Sequence, residues 1–246
     1  MKRLAISMVV ASALASSAHA QYDNVIIGPS LDTAQSITNE VVAREINKEI
    51  VSADVAKHST AARGSQVSKR PINGPSVSLS YIATVQASSS AQQSYVARLA
   101  THDPASANLL QQQMHAHDFG QVYAGIVAPF GLRRGDVGDA MAAYTLLGWM
   151  IATGSTDPTR EQVRAMRERI AAGIAAEPKF ADSTTRAALG EEIVISFVTL
   201  HAGWQSAQRE GKVQQYSDGV AAMFQKQTGN DLRQLVLTDR GLEKRG

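Results

Sequence analysis

The sequence predicts an all-α protein: a single globular bundle of six to seven helices, preceded by a helical arm and a linker. Three observations predict it. Ala and Gln, which both favour helix over sheet, supply 38 and 18 of the 246 residues. Apolar residues recur at three- and four-residue spacing through most of the chain. Asp-Pro pairs and lone glycines punctuate that pattern, Asp suiting an N-cap, Pro the first helical position and Gly the stop.

The first twenty residues read as an address and not as part of the fold. Lys2 and Arg3 precede an apolar stretch over 4–15, and Ala18, His19 and Ala20 form an A-x-A site. That order is a bacterial-type secretory signal peptide cleaved before Gln21. The stretch is too short to span a bilayer. Cleavage removes two basic and no acidic residues. Lys+Arg falls from 24 to 22, equal to the 22 Asp+Glu. The mature chain is then neutral, although the full chain has a pI of about 8.9. Neutrality argues against nonspecific nucleic-acid binding and against an anionic membrane surface. The absence of cysteine excludes disulfide scaffolds, Cys-ligated zinc and thiol catalysis.

Residues 21–89 form a polar front. Ile37, Val41, Ile46, Ile50 and Val55 follow a near-helical period, which predicts an arm helix over 32–58. Its apolar stripe is narrow, as on a helix that packs against its own body or a partner. Ser, Thr, Gly and Pro cluster over 59–89, which reads as a linker. Within it Val77, Leu79 and Tyr81 alternate with polar residues. A lone strand has no partner there, so this segment is expected to lie extended on the body.

The body is expected over 90–242. The first helix spans 90–101, with Tyr95 and Leu99 on one side. Asp103 and Pro104 open the second, which reaches about 117. Asp118 caps a third over 119–130, which Gly131 ends. The strongest helix spans 136–153: Asp136 is the N-cap, Asp139 sits at the capping-box position, and Gly154 is the stop. Residues 140–152 are apolar almost all round, so this helix is buried. At thirteen residues the run is a core element and not a membrane span. Asp157 and Pro158 open a helix to 176 with Val163, Met166, Ile170 and Ile174 inward and Arg160, Arg164, Arg167 and Arg169 outward. Asp182 or Ser183 caps a long helix to about 210, striped by Leu189, Ile193, Phe197, Leu200 and Trp204. Its β-branched run over 193–198 favours strand by propensity, but the helical stripe continues on both sides. A last helix spans 212–228, and residues 231–237 read as a closing turn or short helix.

Chemistry-bearing residues are sparse. Glu192 stands beside a long apolar run, where a carboxyl can work as a general acid. It needs a second carboxylate, and Asp139 is the candidate partner. Structural duties compete: Asp139 has a cap position, and Glu191 and Glu192 fall in the first third of a helix, where acids are favoured. His115 and His117 are the metal candidates. Positions i and i+2 point about 200° apart on a helix, so the two cannot share an ion unless the helix breaks there. His201 reads as a half-buried core histidine. Arg133 and Arg134 could hold an anion at the start of the central helix, or form a solvated turn. The Arg160, Arg164 and Arg167 stripe is interleaved with Glu161 and Glu168, as on a solvated face. There is no G-x-S-x-G elbow and no phosphate loop. No cofactor is expected.

Gly131 and Leu132, Val137, Asp139 and Ala140, Tyr144, Trp149, Gly154, Pro158, Glu192 and the ending 237–242 together resemble an uncharacterised family of secreted bacterial all-helical proteins, a domain of unknown function. The resemblance covers roughly 80–242. The family often carries Asn at the position of Gly135 or Asp136, and often Phe where Leu242 stands. It implies a secreted all-α domain and brings no activity, cofactor or catalytic residue.

The leading expectation is a non-enzymatic periplasmic or secreted helical module that binds a protein partner or an envelope component. Two alternatives stay open: an envelope-polymer hydrolase using Glu192 with Asp139, and a metal or small-ligand binder using His115 and His117.

Overall fold

The computed structural model describes residues 79–245. The signal peptide, the arm helix over 32–58 and most of the linker lie outside the described residues. Those described form an all-α body of seven helices closed by one small hairpin.

Helix α1 (Val85–Ala100) starts five residues before the predicted position, because Thr84 accepts the Ala87 amide through its hydroxyl at 3.1 Å and caps it. The Ser run after it, which reads as linker, is helical. Helix α2 (Pro104–Ala116) has the predicted cap: Asp103 accepts from the Ser106 amide, and Pro104 opens the first turn. Asp118 caps α3 (Phe119–Val127), which tightens into a 3₁₀ turn over Ala128–Phe130. Gly131 ends that turn at φ +82°, a left-handed conformation glycine adopts without cost.

Helix α4 (Val137–Thr153) is the axis of the body. Asp136 caps it and Gly154 stops it, as predicted. Nearly every residue is buried, with only Met150 and Thr153 reaching partial exposure. Helices α5 (Arg160–Ala175), α6 (Ser183–Arg209) and α7 (Val213–Thr228) pack around it. A glycine in mid-helix makes the α7 approach close. A Cβ added at Gly148 would run into the Phe224 ring. The β-branched run on α6 is helical, as its stripe predicts.

Three sequence expectations need correction. Helix α5 begins at Arg160 and not at Pro158, because Thr159 and Gln162 form a capping box that outcompetes Asp157. Arg167 points inward and not outward. Its Nε donates to Asp139 Oδ1 at 2.8 Å, and its guanidinium also bonds Asp136 at 3.0 Å, which supplies the charge partners a buried cation needs. The closing segment is a 3₁₀ turn (Leu232–Gln234) followed by a hairpin, β1 (Leu235–Thr238) pairing antiparallel with β2 (Gly241–Lys244). The Thr238 hydroxyl accepts from the Arg240 amide and donates to the Gly241 carbonyl, which closes the turn. The Trp149 indole donates to the Leu235 carbonyl and the Arg169 guanidinium to the Arg240 carbonyl, which tie the hairpin to α4 and α5.

At the other end of the described chain, Leu79 and Tyr81 lie extended on the body, as the alternation predicts. Leu79 donates to the Asp136 carboxylate, and Tyr81 donates to the Gly135 carbonyl. The Tyr81 ring fills the space left by Gly190 on α6, and its hydroxyl donates to Glu191 at 2.9 Å. No helix among the described residues is long and apolar enough to cross a membrane.

Candidate functional site: an apolar cavity beside an arginine cleft

Two helix stripes line a cavity of about 480 Å³. On α4 the stripe is Ala143, Leu146, Leu147 and Met150, at the spacing that keeps side chains on one face. On α6 it is Phe197, His201 and Trp204, continued by Gln205 and Gln208. The end of α3, the 3₁₀ turn and Val163 of α5 close the remaining sides. Ala143 is the smallest of the α4 residues that line the cavity. The volume falls in the range typical of small-molecule sites, roughly 300–1,000 Å³.

The cavity reaches solvent. Ile126, Phe130, Met150 and Trp204 pack on the core yet stay partly exposed, and all four line it. Core side chains that stop short of full burial around one void mark an apolar opening. The rim between α4 and α5 is polar, with Ser155 and Asp157 facing Gln205 and Gln208. His201 is buried, as a core histidine, and its ring lies parallel to Phe197 at 6.2 Å.

A second depression, of about 400 Å³, adjoins the first. Phe130, Leu132 and Val163 line both. Here Arg133, Arg160, Arg164 and Arg167 gather with Asp139, Glu161 and Glu168. Arg167 is committed to Asp136 and Asp139. Burial raises the Asp139 pKa above the ordinary carboxylate range. Asp136 beside it pushes the same way, against the pull of Arg167 and of the Arg133 amide.

The sequence candidates fall at separate places. Asp139 does not act as a capping-box partner; its carboxylate accepts from the Arg133 amide at 3.0 Å and from Arg167. Glu192 is buried on α6 and paired with Arg98 of α1, and it is not among the residues around the depression that Asp139 lines. Asp139 thus sits with Arg167 and the Arg133 amide, and Glu192 with Arg98. Glu191, beside Glu192, takes the structural share of that pair. It accepts from Tyr81, from Ser88 at 2.6 Å and from Arg134 at 2.8 Å. Arg134 is therefore an anchor of the chain's entry segment, while Arg133 lies in the cleft.

His115 is exposed in the last turn of α2, and His117 is the extended residue that caps it. Among the described residues no group of three or more His, Asp or Glu side chains is placed to hold a metal ion. Sequence reasoning missed the cavity and the inward turn of Arg167. A signal for Arg167 exists in hindsight: it lies four residues after Val163 and three before Ile170, on the apolar face of α5.

No family model matches the chain, and comparison with curated proteins and with solved structures finds no match either.

Proposed function

We propose that the chain is a non-enzymatic binding module of the bacterial periplasm or surroundings, and that its helical body holds a small, largely apolar envelope component between α4 and α6. The single observation that carries this reading is the apolar cavity ringed by partly exposed core side chains. A void that could be closed by larger residues is a stability cost, and here it sits beside Ala143 on the best-packed helix of the body. The secretory address rests on the N-terminal sequence pattern. The resemblance to secreted helical proteins over 80–242 is compatible with both and adds no activity.

The neutral apolar dye N-phenyl-1-naphthylamine tests the reading. Its emission rises when it enters a dry site, so the mature protein should show saturable one-to-one binding. Ala143→Phe, which places a ring in the void, should abolish that signal while the helical circular dichroism stays unchanged. Absence of saturable binding by the parent, or equal binding by a folded Ala143→Phe variant, removes the proposal.

A further inference from the structure

The structure assigns the ligand's second half: we infer that the cavity and the arginine cleft together take a single-chain amphiphile with an anionic headgroup, carboxylate or phosphate, its tail among the α4 and α6 side chains and its head on Arg133, Arg160 and Arg164. This inference rests on the cavity reading above and adds the chemistry of the head.

Four observations carry it. The two voids share a wall, because Phe130, Leu132 and Val163 line both. A cation stands next to each of those wall residues. Arg133 follows Leu132 and Arg164 follows Val163 in sequence, and Arg160 donates its Nε to the carbonyl of Pro129, beside Phe130, at 2.8 Å. The residues shared by the two voids are thus flanked in the chain, or bonded nearby, by the cations of the cleft.

The charges are available for an outside partner. Arg164 has no ion-pair partner among the described residues. The Arg133 side chain is 69% exposed and reaches Asp136 and Asp139 only at 3.9 Å. Arg160 keeps its terminal amino groups free of the carbonyl bond its Nε makes. Glu161 and Glu168 border the same cleft and Arg167 is set against Asp136 and Asp139, so four cations meet four acids there, and the exposed cations are Arg133, Arg160 and Arg164.

Arg160 is also badly placed for stability alone. It is the first residue of α5, where a cation opposes the helix dipole. The same dipole favours an anion there. The opposite rim of the cavity suits no anion, since Asp157 stands there with uncharged Ser155, Gln205 and Gln208. Arginine's planar fork matches carboxylate and phosphate oxygens in pairs, which favours such a head over a neutral one.

Calorimetric titration of the mature protein with dodecanoate, dodecyl phosphate, dodecan-1-ol and dodecyltrimethylammonium, all below their aggregation concentrations, tests it. At least one anion should bind roughly tenfold tighter than the alcohol, a charge-assisted contact being worth about a decade in affinity. Whichever of the two anions is tighter identifies the head. The Arg160→Gln/Arg164→Gln double variant should lose the preference while its affinity for dodecan-1-ol stays. Equal affinity for anions and alcohol, tighter binding of the ammonium, or a preference that survives in the double variant overturns the inference and leaves the cavity reading standing. Failure of all four probes to bind, the alcohol included, overturns both.

Discussion

Asp136 does three jobs with one carboxylate. It caps α4 through the Asp139 amide, receives the Leu79 amide, and pairs with Arg167. Arg167 is consequently the close partner of two buried acids, with the exposed Arg133 farther off at 3.9 Å from each. Replacing it by Met keeps the volume and strands both charges. Urea denaturation should show a loss of about 3–5 kcal/mol, the range for breaking a buried pair from one side. Asp139 gives a pH signature. Its carboxyl titrates above the ordinary range because it is buried, so the fold favours its protonated form. Its contribution to stability is greatest below the unfolded value of about 3.9, and it falls as pH rises through the window up to the raised folded value. The stability of the parent minus that of Asp139→Asn should therefore decline across that window and level off above it. A difference that grows with pH would mean that Arg167, and not burial, governs this carboxyl. Exposed acids such as Asp182 and Asp218, whose hydrogen bonds lower them, are common to both proteins and cancel.

Helix α4 shows how much of the fold is legible in the sequence. A run that is apolar all round has to be buried, and Asp136 and Gly154 bound it by elementary capping chemistry. The glycine inside it already marks a close approach, and the Phe224 ring is what approaches. Gly148→Ala improves helix propensity by about 1 kcal/mol, yet it should destabilise the protein by roughly 1–3 kcal/mol, because the new methyl meets a fully buried ring. Phe224→Leu on the same background should recover part of that loss in thermal unfolding. A Gly148→Ala protein as stable as the parent would show that α4 and α7 have room to separate. Other elements were less legible for physical reasons. Thr159 and Asp157 are both good caps two residues apart, and only the reciprocal bond from Gln162 decides between them. The hairpin turn at Asp239 and Arg240 lacks the Asn-Gly or Asp-Gly pair that announces a two-residue loop, and its strands are four residues each. The cavity is invisible in sequence because it is a relation between stripes on two helices more than fifty residues apart.

At the scale of the whole molecule, the described body packs α5, α6 and α7 on α4 and α1 on α6, and is sealed by pieces remote in sequence. Leu79 and Tyr81 close one end and the hairpin closes a side. The candidate site opens where the α4 and α6 stripes meet the end of α3 and the 3₁₀ turn after it. Site residues were therefore harder to read than fold residues. Asp139 and Glu192 are conspicuous in sequence as acids near apolar runs, but the arginines that meet them, Arg167 and Arg98, lie on other helices and are not announced by their neighbours. The residues proposed to bind are unremarkable alone, an alanine and leucines on one helix and surface arginines on the next.

The close fit of Gly148 against Phe224 has a consequence for how the chain is made. α4 ends at residue 153, but the ring that covers it and the carbonyl that receives the Trp149 indole lie at 224 and 235. A ribosome emits them some seventy to eighty residues later. During that interval a thirteen-residue apolar stretch has no lid on the α7 side. The face that meets Phe224 stays uncovered until the last helix has emerged. A nascent chain halted near Gly211 would be the sticky one.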